Sequence, residues 1–169
     1  GNAGKSWTLA DASTNGSAET KLTSVLGRVS RTAITRTGPS SEIRTITYPD
    51  GTKSTITQTA TSVSSQSADG TKVESTLAPD PQWGMSAPYA ATSTVTYPSG
   101  ATVERVETRE AERSDPNDPA AIISLSSSIS LGGQKPWRSE YVIATRIETL
   151  TSPEGRVMRR VIDDQGRVV

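Results

Sequence analysis

The chain of 169 residues has no cysteine, no histidine and no phenylalanine. Without cysteine there are no disulfides and no thiolate metal sites, and without histidine there are no imidazole ligands and no histidine acid–base chemistry. Neither absence fixes a compartment. A nucleophile with its base, or a metal set, is hard to assemble from what remains, so the chain reads as non-enzymatic, with no cofactor and no metal. Large side chains are scarce too: three Trp, four Tyr and 32% apolar residues in all. A thick globular core is hard to fill from that supply, and a thin layer is easier. Neither sign of charge dominates, since 18 basic and 18 acidic residues cancel. No overall field then draws the chain to nucleic acid or anionic lipid. No apolar run approaches the roughly 20 residues a helix needs to cross a bilayer, so no membrane span is expected. No secretory signal opens the chain, and Gly1-Asn2-Ala3 reads as a remnant of tag cleavage on a piece of a longer protein.

What the chain does have is one turn, written repeatedly. Gly51, Gly70, Gly100, Gly155 and Gly166 each close a short reversal: Tyr48-Pro49-Asp50-Gly51, Ser67-Ala68-Asp69-Gly70, Tyr97-Pro98-Ser99-Gly100, Ser152-Pro153-Glu154-Gly155 and Asp163-Asp164-Gln165-Gly166. Proline presets φ at the first central position, a small or polar residue takes the second, and glycine accepts the positive φ that follows. Such a reversal is a tight hairpin with a glycine bulge. The same spacing separates Gly16 from Gly27 and Gly155 from Gly166, and both later glycines are followed by arginine and valine.

The segments between turns are rich in Thr, Val and Ile and alternate in polarity. From Ile122 to Leu131, Ile123, Leu125, Ile129 and Leu131 fall on one side and Ser124, Ser126, Ser128 and Ser130 on the other, which is a strand with one dry face. Ile46 and Tyr48, Val95 and Tyr97, and Tyr141, Ile143 and Ile147 lead into turns in the same way. Residues 52–59, 102–107 and 156–162 are expected to return as partner strands. No long helical period is present, and 106–113 reads as a strand end and loop. Proline-bearing segments are expected to be loops, because proline offers no ladder donor: 78–91, 113–120 and 132–139. The expected fold is all-β, with tandem antiparallel hairpins in one long twisted or curled sheet. A single repeat region spans 1–169, around a shallow apolar interior lined by Ile46, Val95, Ile123, Leu125, Ile129, Leu131, Ile143 and Ile147.

Ile162-Asp163-Asp164-Gln165-Gly166-Arg167-Val168 resembles the Y-D-x-x-G-R-L/V signature of the rearrangement-hotspot (RHS) or YD-repeat family, with isoleucine in the tyrosine position. Pro153-Glu154-Gly155-Arg156 resembles the glycine turn that precedes it, and the reversals at Gly51 and Gly70 resemble the variants between better-formed repeats. At 16–29 the likeness is weaker, with Thr23 and Ser24 where Tyr and Asp would stand. The resemblance implies a ribbon of antiparallel strands building a shell in large secreted or cell-surface bacterial proteins, which enclose or present a cargo such as a C-terminal toxin. Asp163, Gly166 and Arg167 then carry the repeat signature, and the implied partners are neighbouring repeats and a cargo. Unpaired edge strands also invite edge-to-edge self-association.

Other residues suggest sharper chemistry beside plainer roles. Trp83, Tyr89 and Trp137 are expected in loops, where aromatic rings can stack on a glycan or a partner surface, or simply plug a thin sheet. Asp115, Asn117 and Asp118 offer oxygens to calcium, but Asp-Pro steps are ordinary turn formers and calcium wants six to eight ligands. Glu104, Glu107, Glu110, Glu112, Glu140 and Glu148 are candidates for a hydrolytic carboxylate pair, but nothing places any two across a cleft, and charges at alternating strand positions usually form a solvated face. Asn15-Gly16-Ser17 fits a glycosylation sequon. Gly4-Lys5-Ser6 lacks the upstream glycine and strand of a phosphate loop.

Overall fold

The computed structural model describes residues 8–14 and 16–169, so Gly1-Asn2-Ala3, Gly4-Lys5-Ser6 and Asn15 of the sequon lie outside the described residues. Thirteen strands follow one another with no helix among the described residues. They are β1 (Thr8–Thr14), β2 (Ser17–Thr23), β3 (Val29–Gly38), β4 (Ser41–Thr47), β5 (Lys53–Gln58), β6 (Ser62–Gln66) and β7 (Lys72–Asp80). There follow β8 (Gly84–Thr96), β9 (Thr102–Arg113), β10 (Ile122–Leu131), β11 (Trp137–Val142), β12 (Ile147–Thr151) and β13 (Val157–Val161). All thirteen form a single open antiparallel sheet whose spatial order is the sequence order. Every strand therefore shares its backbone ladder only with its neighbours in sequence. The chain divides into two compact units, Gly1–Ser75 with Val95–Thr102, and Thr76–Thr94 with Val103–Val169.

In the first unit the rows across the strands are written in threonine. Thr35, Ile43, Thr57 and Ser64 align on β3 to β6, and Ala33, Thr45, Thr55 and Gln66 align one step along. β-Branched side chains stand well on a pleated surface, which is why these runs are strands. Thr20 donates to Asp11 across β1 and β2 at 2.7 Å, where the two are register partners.

The second unit has two unlike faces, set by the two-residue period. On one face the register places Glu107, Ile129 and Trp137 in a row, then Arg109, Ser127, Ser139, Leu150 and Met158, then Ala111, Leu125, Tyr141, Glu148 and Arg160. The opposite face carries Glu110, Ser126, Glu140, Thr149 and Arg159, with Thr108, Ser128, Arg138 and Thr151 beside them. The serine alternation of β10 thus occupies one face, but that face is not the wetter one: Ser124 is 7% exposed, whereas Ile123 and Leu131 of the expected dry side are 40% and 51% exposed.

No hydrophobic side chain is buried among the described residues. The apolar interior expected around Ile46, Val95, Ile123, Leu125, Ile129, Leu131, Ile143 and Ile147 is absent, and Ile123, Leu131 and Ile143 are 40%, 51% and 42% exposed. A sheet buries a face only against another layer, and no apolar side chain among the described residues is buried in that way. Cohesion therefore rests on ladder hydrogen bonds and cross-strand side-chain pairs, each pair contributing about 0.2–1 kcal/mol.

Three expected loops also need correction. The segment 78–91 is mostly strand: β7 runs through Pro79, β8 runs through Pro88, and only residues 81–83 turn. Proline lacks a donor but keeps an extended φ and its carbonyl, so a strand admits it where no partner needs its N–H. In place of 113–120 the connection is 114–121, because β9 continues to Arg113, and 106–113 is strand throughout. In place of 132–139 the loop ends at Pro136, and Trp137 opens β11. Finally, Tyr141, Ile143 and Ile147 do not share one strand. A turn at 143–146, with Arg146 at φ 56°, separates β11 from β12 and moves Ile147 opposite Val142.

Candidate functional site

The hairpin reversal is the element most often repeated, and its geometry recurs closely. Gly51, Gly70, Gly100, Gly155 and Gly166 have φ of 86°, 91°, 83°, 83° and 77°. In each, the glycine N–H donates to the carbonyl three residues earlier: Gly51 to Tyr48 at 2.9 Å, Gly100 to Tyr97 at 2.9 Å, Gly166 to Asp163 at 3.0 Å. The first residue's N–H then donates to the carbonyl of the fifth, as from Tyr48 to Thr52 at 2.9 Å and from Asp163 to Arg167 at 2.8 Å. Ser24-Val25-Leu26-Gly27-Arg28 is a sixth copy with the same two bonds.

Two side-chain solutions satisfy the fifth residue's N–H. Where that residue is arginine, the first residue's side-chain oxygen accepts: Ser24 from Arg28, Ser152 from Arg156, Asp163 from Arg167. Where it is threonine or alanine, the third residue accepts: Asp50 from Thr52, Asp69 from Thr71, Ser99 from Ala101. Asp163 also accepts the Gln165 N–H at 2.9 Å and an Arg167 Nε–H bond at 2.8 Å. The backbone bond from Arg167, then its side-chain bond, hold the Asp163 carboxyl below the usual aspartate range. Asp163, Gly166 and Arg167 are thus one turn in which the carboxylate ties both central and exit amides. Ser24 accepts the exit amide at Gly27 as Asp163 does at Gly166.

The densest cluster of charge lies on β7 to β9. Glu107 is 6% exposed and receives hydrogen bonds from Arg105 and from Arg109 Nε, the latter at 2.6 Å. Burial opposes its charge, yet the Arg109 and Arg105 hydrogen bonds outweigh it and keep the carboxyl below the ordinary glutamate range. Arg109 also pairs with Asp80 at 3.1 Å and lies over the Tyr89 ring, 4.6 Å from its centroid. The Tyr89 hydroxyl in turn accepts the Arg109 backbone N–H at 3.2 Å. Asp80 Oδ1 accepts the N–H groups of Gln82 and Trp83, and Arg113 donates to the Pro81 carbonyl. The β7–β8 reversal is thereby fastened to β9, with Trp83 at its tip and 63% exposed.

Of the aromatic candidates, Trp83 alone sits in a turn. Tyr89 is a β8 residue whose face is occupied by Arg109, and Trp137 is a β11 residue in the row of Ile129 and Glu107. The structure does not bring Trp83 and Trp137 together on one loop cluster, as a loop platform requires. The carboxylates divide as well: Glu107 and Glu148 share a face and are bound by arginines, whereas Glu110, Glu112 and Glu140 point to the other face. Glu110 and Glu140 border a shallow hydroxyl-lined groove of about 370 Å³ with Ser126, Ser128, Arg138 and Thr149. Asp115 and Asp118 spend an oxygen each on the N–H groups of Asn117 and Ala120, as turn formers do.

Sequence reasoning missed the burial of Glu107, which it placed on a solvated face. Its signal is Arg105-x-Glu107-x-Arg109: at a two-residue period the carboxylate lies between two guanidinium groups on one side. No helix among the described residues is long and apolar enough to cross a membrane. Compared with family models and with curated proteins, the chain matches none.

Proposed function

We propose that the chain is a non-enzymatic wall segment of a larger secreted or cell-surface bacterial protein of the RHS/YD-repeat type, enclosing or presenting a cargo such as a C-terminal toxin. The observation that carries this reading is a single reversal geometry repeated six times along a sheet whose strands pair only with their sequence neighbours. Such a unit lengthens by adding hairpins at either edge, and each addition buries surface mainly against its neighbour. The Asp163-Gly166-Arg167 turn supports the family assignment, since its aspartate and arginine have the linked roles that a repeated D-x-x-G-R needs.

The test is a cryo-electron microscopy map of the native polypeptide that contains this segment. Further strands paired outside β1 and β13, continuing into a shell, are the expected result. A native polypeptide in which both edges stay unpaired and no shell forms ends the reading.

A glycan- or partner-binding module is the second reading, favoured by one observation: Trp83 stands exposed on a reversal braced by Asp80, Arg109 and Arg113. A braced aromatic loses little freedom when a sugar face stacks on it. Trp83 fluorescence, titrated with a polysaccharide panel in a variant whose other tryptophans are phenylalanine, discriminates the two. No change with any glycan removes this reading and leaves the wall.

A further inference from the structure

We propose that the face of β9 to β13 bearing Leu125, Ile129, Trp137, Tyr141, Leu150 and Met158 packs against the same face of a second copy of this chain, sheet upon sheet. Three observations carry it. First, these side chains come from successive strands in direct register, as the pairs Ile129–Trp137, Leu125–Tyr141 and Leu150–Met158 with Ser127 and Ser139 between them, and Trp137 and Met158 are 57% and 55% exposed. Stable sheets bury such a face at about 10 Å from another sheet.

Second, the area suits a dimer. Five strands at about 4.8 Å and some eight residues at about 3.3 Å give this face a footprint of roughly 650 Å². A standard interface takes about 800 Å² of accessible surface from each partner, which a corrugated face of that footprint supplies.

Third, the charges on this face are neutralised within it. Glu107 is held by Arg105 and Arg109, Asp80 by Arg109, and Glu148 by Arg160. Two identical faces must meet about a two-fold axis, which sets like residues near like residues. A face of one sign would repel its copy, but this one presents paired charges beside its apolar side chains, as self-complementary interfaces do. The inference is independent of the wall reading, because a wall grows at its edges and this contact covers a face.

Sedimentation velocity on the 169-residue chain, from low-micromolar to sub-millimolar concentration, tests it. The expected mass rises to twice 17.8 kDa. Trp137→Glu should weaken association by about 100-fold, as loss of a central aromatic anchor does. Ser128→Glu, on the opposite face of β10, should leave it within about twofold. With Trp7 and Trp83 replaced by phenylalanine, Trp137 emission should shift to the blue as the dimer forms. Should Trp137→Glu lose its far-ultraviolet β signal, Met158→Glu interrogates the same face at a 55% exposed site. A monomer throughout overturns the proposal. So does a dimer indifferent to both face variants, with unshifted Trp137 emission, which is the result edge-to-edge pairing gives.

Discussion

Replacing Glu107 with glutamine keeps its shape and removes its charge, and the cost can be worked from its surroundings. The carboxylate is 6% exposed and accepts two charge-assisted hydrogen bonds, each worth about 1.5–3 kcal/mol net when both partners stay dry. Breaking a fully buried pair costs about 3–5 kcal/mol. Here the arginine side chains are 34% and 39% exposed, so water takes part of the loss, and Arg109 keeps Asp80. The expected destabilisation is therefore about 2 kcal/mol, or roughly 4–8 °C in Tm for a chain of this size. Urea unfolding followed by circular dichroism measures it, with a probe in each compact unit so that separate transitions are resolved. The pH dependence supplies a second check. A carboxyl held below its unfolded value stabilises fully above the unfolded pKa, near 4.3, and loses that contribution as pH falls through the folded value. The gap between the native chain and the variant should be constant at neutral pH and close below about pH 4. A gap under about 0.5 kcal/mol at pH 7, or one that does not change on acidification, refutes the network as a source of stability.

Gly100→Ala should destabilise by about 1–2 kcal/mol, because φ of 83° strains any Cβ, whereas Gly38→Ala, in extended strand with only ordinary contact to Ser41, should be near neutral by the same urea assay. Asp163→Ala should raise hydrogen-exchange rates at the Gln165 and Arg167 amides while leaving those at Thr52 and Thr71 unchanged, and NMR exchange measures all four in one sample. Titrating the Arg167 amide shift should place the native Asp163 transition below about 3.9, the usual aspartate value, since its hydrogen bonds favour the charged form.

The reversals and most strands were legible because they depend on local chemistry. Proline, aspartate and glycine at successive positions dictate a turn wherever they occur, and the serine–apolar alternation of 122–131 dictates a strand with two unlike faces. What stayed hidden depends on neighbours. Pro79 and Pro88 break a strand only if a partner asks for their N–H groups. The break at 143–146 carries no glycine or proline, only Arg146 held at positive φ with its carbonyl accepting the Ile162 N–H. Glu107 reads as one more strand glutamate until the two arginines beside it and the β7–β8 reversal shield it. Trp137 and Tyr89 looked like loop residues because prolines stand near them, yet both lie in ladders. The absent interior had the opposite origin: alternation shows which side is apolar, and says nothing about whether a second layer exists to cover that side.

Pairing each strand only with its predecessor and successor also governs how the polypeptide acquires its fold. Loop closure costs little when the closing segment is a few residues long, and no strand must wait for a distant stretch of chain. Such a sheet can assemble in order while the chain leaves a ribosome or threads a narrow pore, each newly freed hairpin zipping onto the last. The most recently added strand is then always the exposed template, so growth has a direction and a growing tip.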